Sequence, residues 1–252
     1  MLILALDTTT RGGSVAIADD DRILALLPGD ELRTHGERLP ADIARALDQA
    51  GVTRDRIDLF AVATGPGAFT GLRIGLAATQ GLAMTLNKPV IGVSALDALA
   101  EQVESGAPAR DQRRDADRVI VVPWMDAQRG DVFATLIDGA TGATIEAPTA
   151  AHPQSLLDAW RAHLAGRHVI FIGDAAARDA AVIAKSADGL WESRTPTPLA
   201  PQIAVLAHRR AVNGEAGTPH TLEPIYVRRP DAEIERDRGR RSAPREGGRN
   251  RS

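Results

Sequence analysis

Two aspartates that follow apolar segments are the residues of this sequence best suited to chemistry. Asp7 ends LILALD and precedes three threonines, and Asp126 ends RVIVVPWMD. Phosphoryl transfer needs charge neutralisation by Mg²⁺ together with hydroxyl and backbone N–H donors. The pattern is typical of a phosphate site between two hairpins, although a strand-end aspartate can also simply hydrogen-bond its own turn. The candidate phosphate ligands are Asp7, Thr8, Thr9, Thr10, Ser14 and Asp126.

The elements that would position these aspartates form two similar halves. Each half opens with an apolar strand ending in aspartate, a short turn and a return strand, which is a faint internal duplication. A polar break at 104–117 separates the halves. We predict an α/β, actin-like (ribonuclease H-like) fold with subdomains 1–103 and 118–229. Strands are predicted at 2–8, 13–19, 22–27, 58–63, 88–94, 118–127, 131–138 and 168–173, and helices at 36–50, 69–86, 95–103, 153–164, 175–187 and 201–212, before a closing segment 223–229.

The glycine-rich stretch TGPGAFTGLRIGLAATQGLA, residues 64–83, does not complete a phosphate site. Three residues separate Gly67 from Gly71, one more than in the dinucleotide fingerprint, and no Lys-Ser or Lys-Thr follows. Pro66 lacks a backbone donor. At the nucleoside end, FIGDAAAR offers Gly173 alone, where actin-like ATPases use a glycine pair. A nucleotide site built from these residues would be partial.

The same stretch is also suited to close packing. Gly71 and Gly75 lie four residues apart, on one face of the helix after Phe69. Small residues at this spacing let another element approach closely. That element is either part of the same chain, with the 36–50 helix covering the remainder, or a helix of a partner protein. Periodicity leaves both alternatives open.

Other catalytic arrangements find little support. No two of the six histidines are three or four residues apart, so no helical pair can converge on one metal ion. The nucleophile motif G-x-S-x-G is absent. His35, in RTHGERLP, precedes a helix and is interpreted as a capping or interface residue rather than a base.

Composition limits the class of protein further. Charged residues make up 25% and apolar residues 44% of 252, which is typical of a globular protein. The absence of cysteine excludes disulfides and thiolate chemistry. No apolar run approaches the ~20 residues that span a membrane, and MLILALDTTT predicts a strand rather than a signal peptide. We expect a cytoplasmic protein without a membrane partner.

The C-terminal residues differ sharply from the rest. Residues 236–252 carry seven arginines and two acidic residues, a net charge of +5, so the remainder carries −8 of the total of −3. This segment is too polar to form a core, and we predict a disordered tail. It either contacts RNA phosphates weakly or is a solvated tail without a partner, and the second alternative is the more common meaning of such a run.

Five blocks of this sequence resemble the TsaB family of bacterial tRNA threonylcarbamoyladenosine biosynthesis proteins: LALDTTTRGGSVAI, GPGAFTGLRIGLAATQGLA, PVIGVSAL, DAQRGDVF and EPIYVR. The resemblance extends from residue 1 to about 229 and excludes the tail. It implies an actin-like fold and a non-catalytic paralogue of TsaD, the protein that transfers a threonylcarbamoyl group to the adenosine beside the anticodon.

The resemblance also implies that this chain lacks a metal site. TsaD has a metal-binding histidine pair after a strand similar to PVIGV, and approximate alignment puts those positions near Val93 and Asp97. Neither is histidine, so neither metal, nor cofactor, nor catalysis is expected. The alternative is a weak ATPase or a metallopeptidase-like enzyme of the same superfamily.

Family members pair with TsaD through two helices that match 36–50 and 69–85, so the resemblance favours the partner alternative for the glycine-rich helix. It further implies a homodimer when TsaD is missing, the ATPase TsaE as a third component, and only indirect contact with tRNA. The predicted interface comprises Leu39, Ile43, Leu47, Phe69, Gly71, Leu72, Gly75, Leu76, Thr79 and Leu82.

Overall fold

The structure, a computed structural model, describes residues 1–105, 119–186 and 189–228. Most of the predicted break at 104–117 and all of the predicted tail at 236–252 lie outside the described residues. Within them, the strands form two five-stranded sheets. None of the helices in these ranges has both the length and the hydropathy needed to cross a bilayer.

The two sheets have the same topology. In each, the first three strands are antiparallel, the fourth strand pairs in parallel with the first, and the fifth pairs in parallel with the fourth. The strands are β1 (Leu2–Asp7), β2 (Ser14–Asp19), β3 (Arg22–Pro28), β4 (Leu59–Gly65), β5 (Val90–Ser94), β6 (Val119–Asp126), β7 (Val132–Asp138), β8 (Thr144–Ala151), β9 (His168–Ile172) and β10 (Trp191–Arg194). The first sheet has the order β3-β2-β1-β4-β5 and the second β8-β7-β6-β9-β10, so the internal duplication inferred from the two hairpins is confirmed.

Helices cover both faces of each sheet. The helices are α1 (His35–Ala50), α2 (Phe69–Leu86), α3 (Ala95–Ser105), α4 (Pro153–Leu164), α5 (Ala180–Ser186) and α6 (Ala200–Val212). Helices α1 and α2 pack outside the first sheet, α3 and α6 lie between the two sheets, and α4 packs outside the second sheet with α5 against it.

Alternation along β1 explains why the first sheet is covered on both sides. Ile3 and Ala5 point into the core shared with α3 and α6, whereas Leu4 and Leu6 point into the core beneath α1 and α2. Every one of these side chains is at most 1% exposed. The sheet is therefore fixed from both faces, and the turn after β1 is held at a buried position.

Local signals set the ends of α1. The backbone N–H and the hydroxyl of Thr34 donate to the Glu37 carboxylate, at 3.0 and 2.7 Å, which is the arrangement of a capping box. Gly51 ends the helix with φ 65°, a left-handed conformation that suits glycine. The predicted bounds of α1 and α2 agree with the structure to within one residue.

Three features of the second half differ from the expectation. The strands β8 and β10 were not predicted, and α5 begins at Ala180 because turns occupy 174–179. Helix α6, placed by sequence in subdomain 118–229, packs on β1, β2, β4 and β5 of the first sheet. Its small residues Ala200, Ala204 and Ala207 meet alanines of that sheet, so the chain returns to its first half before it ends.

Candidate functional site

The turn after β1 binds the Asp7 carboxylate internally. Asp7 is 1% exposed, and its Oδ1 accepts the backbone N–H and the hydroxyl of Thr9 at 2.8 and 2.6 Å, while the Thr10 hydroxyl donates to Oδ2. The Ser14 hydroxyl oxygen accepts the N–H of Ala200 at 3.0 Å, at the start of α6. These side chains therefore fix the hairpin to itself and to α6, which is the alternative that the sequence left open.

Gly71 and Gly75 allow α2 to lie directly against Thr8. A Cβ atom on Gly71 would collide with the Thr8 carbonyl oxygen, and one on Gly75 with the Thr8 hydroxyl oxygen. Both glycines are buried. The interpretation that this flank receives a partner helix is wrong for the isolated chain, because the end of the chain's own β1 fills it.

The ten residues of the predicted partner interface therefore divide into three groups. Phe69 is 40% exposed, and three others, Ile43, Leu47 and Leu82, are half-buried. The remaining six are buried in the monomer: Leu39, Gly71, Leu72, Gly75, Leu76 and Thr79. Of the predicted residues on α2, only Phe69 and Leu82 are accessible to a partner, so a contact there would also use residues outside the predicted set.

His35 and Arg38 hold the β1–β2 turn from the side of α1. His35 Nε2 lies 3.1 Å from the Thr10 carbonyl oxygen, and Arg38 Nη2 lies 3.0 Å from His35 Nδ1. Because a guanidinium only donates, Nδ1 must accept, which places the imidazole proton on Nε2. Burial, followed by the charge of Arg38, lowers the pKa of His35. His35 is thus a neutral imidazole that links the β1–β2 turn to α1, consistent with the structural role expected from sequence.

The second hairpin is neutralised by Arg178. Its Nη1 donates to Asp126 at 2.6 Å and its Nε to Asp179 at 2.8 Å, and Asp179 also accepts the Trp124 indole N–H at 2.9 Å. The hydrogen bond to Asp179, and after it the one to Asp126, raises the pKa of the Arg178 guanidinium. The sequence analysis missed Arg178, although its position five residues after Gly173 in FIGDAAAR is the signal that could have found it.

Gly173 also serves packing within the chain. Its φ is 149°, and a Cβ atom there would collide with the carbonyl oxygen of Trp124. The neighbouring Asp174 accepts the backbone N–H of Asp126 at 2.9 Å, and burial raises the pKa of Asp174. The glycine brings these two backbone segments together, so its presence needs no nucleoside to explain it.

The two positions aligned with the metal-binding histidines have other contacts. Val93 is fully buried in β5. Asp97 lies in the first turn of α3, its Oδ2 is 3.3 Å from Arg210 Nη2, and burial raises its pKa. Among residues 1–105, 119–186 and 189–228, no group of three His, Asp, Glu or Cys residues is placed to hold a metal ion.

A groove of about 330 Å³ lies where the two halves and the closing segment meet. At its edge, the rings of Phe69 and Tyr226 are 5.6 Å apart, and the Arg73 guanidinium lies 3.9 Å from the Phe69 centroid. Arg73 Nε also donates to the Tyr226 hydroxyl at 3.1 Å. We call Phe69, Arg73 and Tyr226 the aromatic rim. The groove is lined by Pro66, Gly67, Ala68, Phe69, Leu72, Asp126, Ala127, Gln128, Arg129, Phe133, Ile225, Tyr226, Val227 and Arg228.

Helices α1 and α2 both expose apolar and small residues to solvent. Helix α2 has one charged residue, Arg73, in its 18 residues, and Met84 is 54% exposed. Among the described residues, and apart from the backbone of α2 itself, a Cβ atom on Gly81 would meet no atom within 4 Å. We call this surface the outer face; it comprises exposed Pro40, Ala44, Ala77, Gly81 and Met84 with half-buried Ile43, Leu47, Ile74, Ala78 and Leu82.

The chain matches known sequences over most of its length. The sequence profile of the TsaD family, described as tRNA N6-adenosine threonylcarbamoyltransferase, covers residues 25–236. The tRNA threonylcarbamoyladenosine biosynthesis protein TsaB of Bacillus subtilis is 27% identical over 240 residues, covering 92% of this chain and 96% of that one. TsaB of Escherichia coli is 37% identical over 136 residues, 53% of each chain, so the match spans about half of that relative.

A solved structure shows the same architecture. A protein of Pseudomonas aeruginosa, described as uncharacterized with similarity to peptidase YeaZ, superposes with a TM-score of 0.71 at 27% identity, covering 90% of this chain and 99% of that one. Together with the two sheets of like topology, this match confirms the predicted actin-like α/β fold. The chain therefore belongs to the TsaD family and, within it, groups with the relatives named TsaB and YeaZ.

Proposed function

We propose that this chain is a non-catalytic subunit in the synthesis of threonylcarbamoyladenosine in tRNA, and that it binds TsaD through the outer face. The relatives named TsaB support the pathway, and the TsaD profile supports kinship with the transferase itself. In this proposal TsaD transfers the threonylcarbamoyl group to the adenosine beside the anticodon, and the present chain supports that reaction as a scaffold in the cytoplasm.

Gly81 is the observation that carries the proposed interface. Glycine within a helix is about 1 kcal/mol less favourable than alanine. Gly71 and Gly75 offset that cost by close packing against Thr8, whereas no atom of the described residues outside the backbone of α2 lies within 4 Å of the place that a Cβ atom on Gly81 would take. A helix of a partner that crosses α2 at Gly81 would make use of the missing side chain, since small residues allow helix axes to approach closely.

The contacts of the candidate chemical groups support a non-catalytic role. Asp7 is held by Thr9 and Thr10, and Asp126 by Arg178. A nucleotide with Mg²⁺ would have to displace these internal donors before either carboxylate could bind the ion. Neither Asp7 nor Asp126 is therefore arranged to bind the ion, which weighs against the ATPase alternative.

The experiment is to replace Gly81 with leucine and measure binding to the TsaD of the same organism by calorimetry. Because the site is open in the monomer, the variant should fold. Overpacking at a close helix contact is unfavourable by about 1–3 kcal/mol, so we expect affinity to fall roughly tenfold or more.

The matched control is Ala162→Leu, which introduces the same leucine side chain at an exposed position of α4 on the second sheet. It should leave binding to TsaD unchanged. Undiminished affinity of Gly81→Leu would contradict the proposed face. Light scattering tests two finer proposals: that the outer face pairs two copies of the chain when TsaD is missing, and that TsaE joins only the assembled pair.

A further inference from the structure

Three exposed apolar side chains gather at the groove between the two halves. Phe69, Ile225 and Tyr226 all line this groove, and they are 40%, 45% and 40% exposed. Other large apolar side chains that the described residues expose do not line it, namely Leu32, Met84, Leu190 and Val212. Apolar side chains that cluster beside a concave surface mark a binding site, whereas single ones need no such explanation. The groove is therefore a candidate docking site.

The groove also has an apolar interior. Leu72 of α2 lines it from the first half and Phe133 of β7 from the second, and these side chains are 1% and 9% exposed. We call these two residues the floor. A polar group placed against the floor would lose its hydration without gaining a hydrogen bond. An apolar cavity of about 150 Å³ holds a benzene ring, so the groove, at about 330 Å³, has room for a large apolar side chain.

The charged side chains around the groove are mainly positive. Arg73 lies at the aromatic rim, and Arg129 lines the groove from the tip of the β6–β7 hairpin. Among the described residues that line the groove, only Asp126 has a carboxylate, and it already accepts a hydrogen bond from Arg178. The groove thus presents arginines on a chain whose total net charge is −3. Since charge complementarity selects and orients a partner, the occupant should be acidic.

The guanidinium of Arg73 is held in position with part of its donors unused. It lies 3.9 Å from the centroid of the Phe69 ring, and its Nε donates to the Tyr226 hydroxyl at 3.1 Å. Within the described ranges, its Nη1 and Nη2 atoms have no hydrogen-bond partner and no carboxylate forms an ion pair with it. A carboxylate can accept two N–H groups of such a fork, and an arginine that is already fixed loses little entropy in binding it.

We infer that the groove binds an acidic segment of another protein, with a large apolar side chain against the floor and a carboxylate on Arg73. A basic segment would be repelled by the arginines. A nucleobase would place its polar edges against the floor, which offers them no hydrogen bond, so a protein segment is favoured over RNA. The inference goes beyond the proposed function, because it concerns neither TsaD nor the outer face. Gly81 lies twelve residues after Phe69, about 18 Å further along α2.

The test selects peptides from a phage-displayed random library against the full chain without TsaD, and measures the affinity of the most enriched peptide by fluorescence anisotropy. Enriched peptides should combine Asp or Glu with a large apolar residue. The double variant Arg73→Gln/Arg129→Gln should bind that peptide about tenfold more weakly and lose most of the wild-type salt dependence. Ile225→Ala should bind about fivefold more weakly with the salt dependence unchanged, because the apolar contact shrinks while both arginines remain.

Two variants away from the groove are the matched controls. Arg56→Gln removes an exposed charge on the turn Arg54–Arg56. Leu190→Ala shortens an exposed side chain before β10, at the opposite end of the parallel strands β6, β9 and β10 from Asp126. Both should bind the peptide like the wild type. Enrichment of no peptide or of peptides without acidic residues, wild-type affinity of the double variant or of Ile225→Ala, or stronger competition by polyuridylate than by polyglutamate would each overturn the inference.

Discussion

The hydroxyl oxygen of Thr8 lies where a Cβ atom on Gly75 would have to be placed. This contact between the end of β1 and the middle of α2 explains a glycine that is otherwise unfavourable in a helix. It also separates two glycines that look alike in the sequence. Gly75 faces the chain's own backbone and side chains, whereas Gly81, six residues later, faces open space.

The first prediction compares these two positions. Gly75→Ala should lower the free energy of unfolding by about 1–3 kcal/mol, because the added methyl group collides with Thr8 in a packed core. Gly81→Ala should raise it by up to about 1 kcal/mol, because helix propensity improves without a new contact. Urea denaturation followed by circular dichroism measures both. Destabilisation by Gly81→Ala would show that the monomer uses this glycine after all.

The edge strands of the second sheet show most clearly where prediction of this fold from the sequence fails. The apolar alternation that predicts β1 and β6 reflects burial on both faces. The missed strands β8 and β10 lie at the two edges of the second sheet, where half-exposed side chains and Pro148 weaken that alternation. The internal duplication could have predicted both, since they occupy the places of β3 and β5.

The candidate site was less predictable for a different reason. Helical periodicity identified Gly71 and Gly75 as a flank of α2 without side chains. Only the tertiary fold decides which element packs against that flank. Residues 223–228 of the closing segment form neither helix nor strand, so Tyr226 carries no periodic signal. Its place beside Phe69 arises from a return of the chain after more than 150 residues, as the Arg73–Tyr226 hydrogen bond shows.

A second prediction concerns pH. The pKa of His35 is lowered by burial and then by Arg38, below the ordinary value of about 6.5. Between the lowered pKa and about 6.5, the unfolded chain binds a proton that the folded chain does not, so the free energy of unfolding falls as pH falls through this window. His35→Gln should reduce that dependence in urea titrations between about pH 7 and pH 5. His220→Gln, on an exposed turn, should retain it, and equal slopes for all three proteins would contradict the assignment.

A third prediction concerns the buried ion pair of α1. Arg38 and Asp42 are 4% and 3% exposed, with Nη1 and Oδ2 2.5 Å apart, and Asp42 also contacts the exposed Arg45. Arg38→Met should destabilise the protein by about 3 kcal/mol, because Asp42 keeps its charge in a buried position. It also removes the donor to the Gly12 carbonyl and so loosens the β1–β2 turn.

The double variant Arg38→Met/Asp42→Leu separates these two effects. Apolar residues often replace a buried ion pair without loss, so the double variant should recover part of the stability measured by urea denaturation. The part of the unfolding free energy that the double variant does not recover reports the lost contacts of Arg38 with Gly12 and His35. A double variant as unstable as the sum of both single variants would show that the two charges do not interact.

The last prediction tests how the closing segment is anchored. Tyr226→Ala removes both the ring that packs on Phe69 and the acceptor for Arg73. Such a ring pair contributes about 0.5–1.5 kcal/mol, so local opening should become up to about tenfold more frequent. Trypsin cleavage after Arg228, followed by mass spectrometry, should accelerate by that factor while the circular dichroism spectrum stays unchanged. Tyr226→Phe keeps the ring and should cleave nearly as slowly as the wild type. If Tyr226→Ala also cleaves at the wild-type rate, the contacts of Arg228 with Ala127 and Asp131 suffice to hold the segment, and the packing of Tyr226 on Phe69 adds nothing to its anchorage.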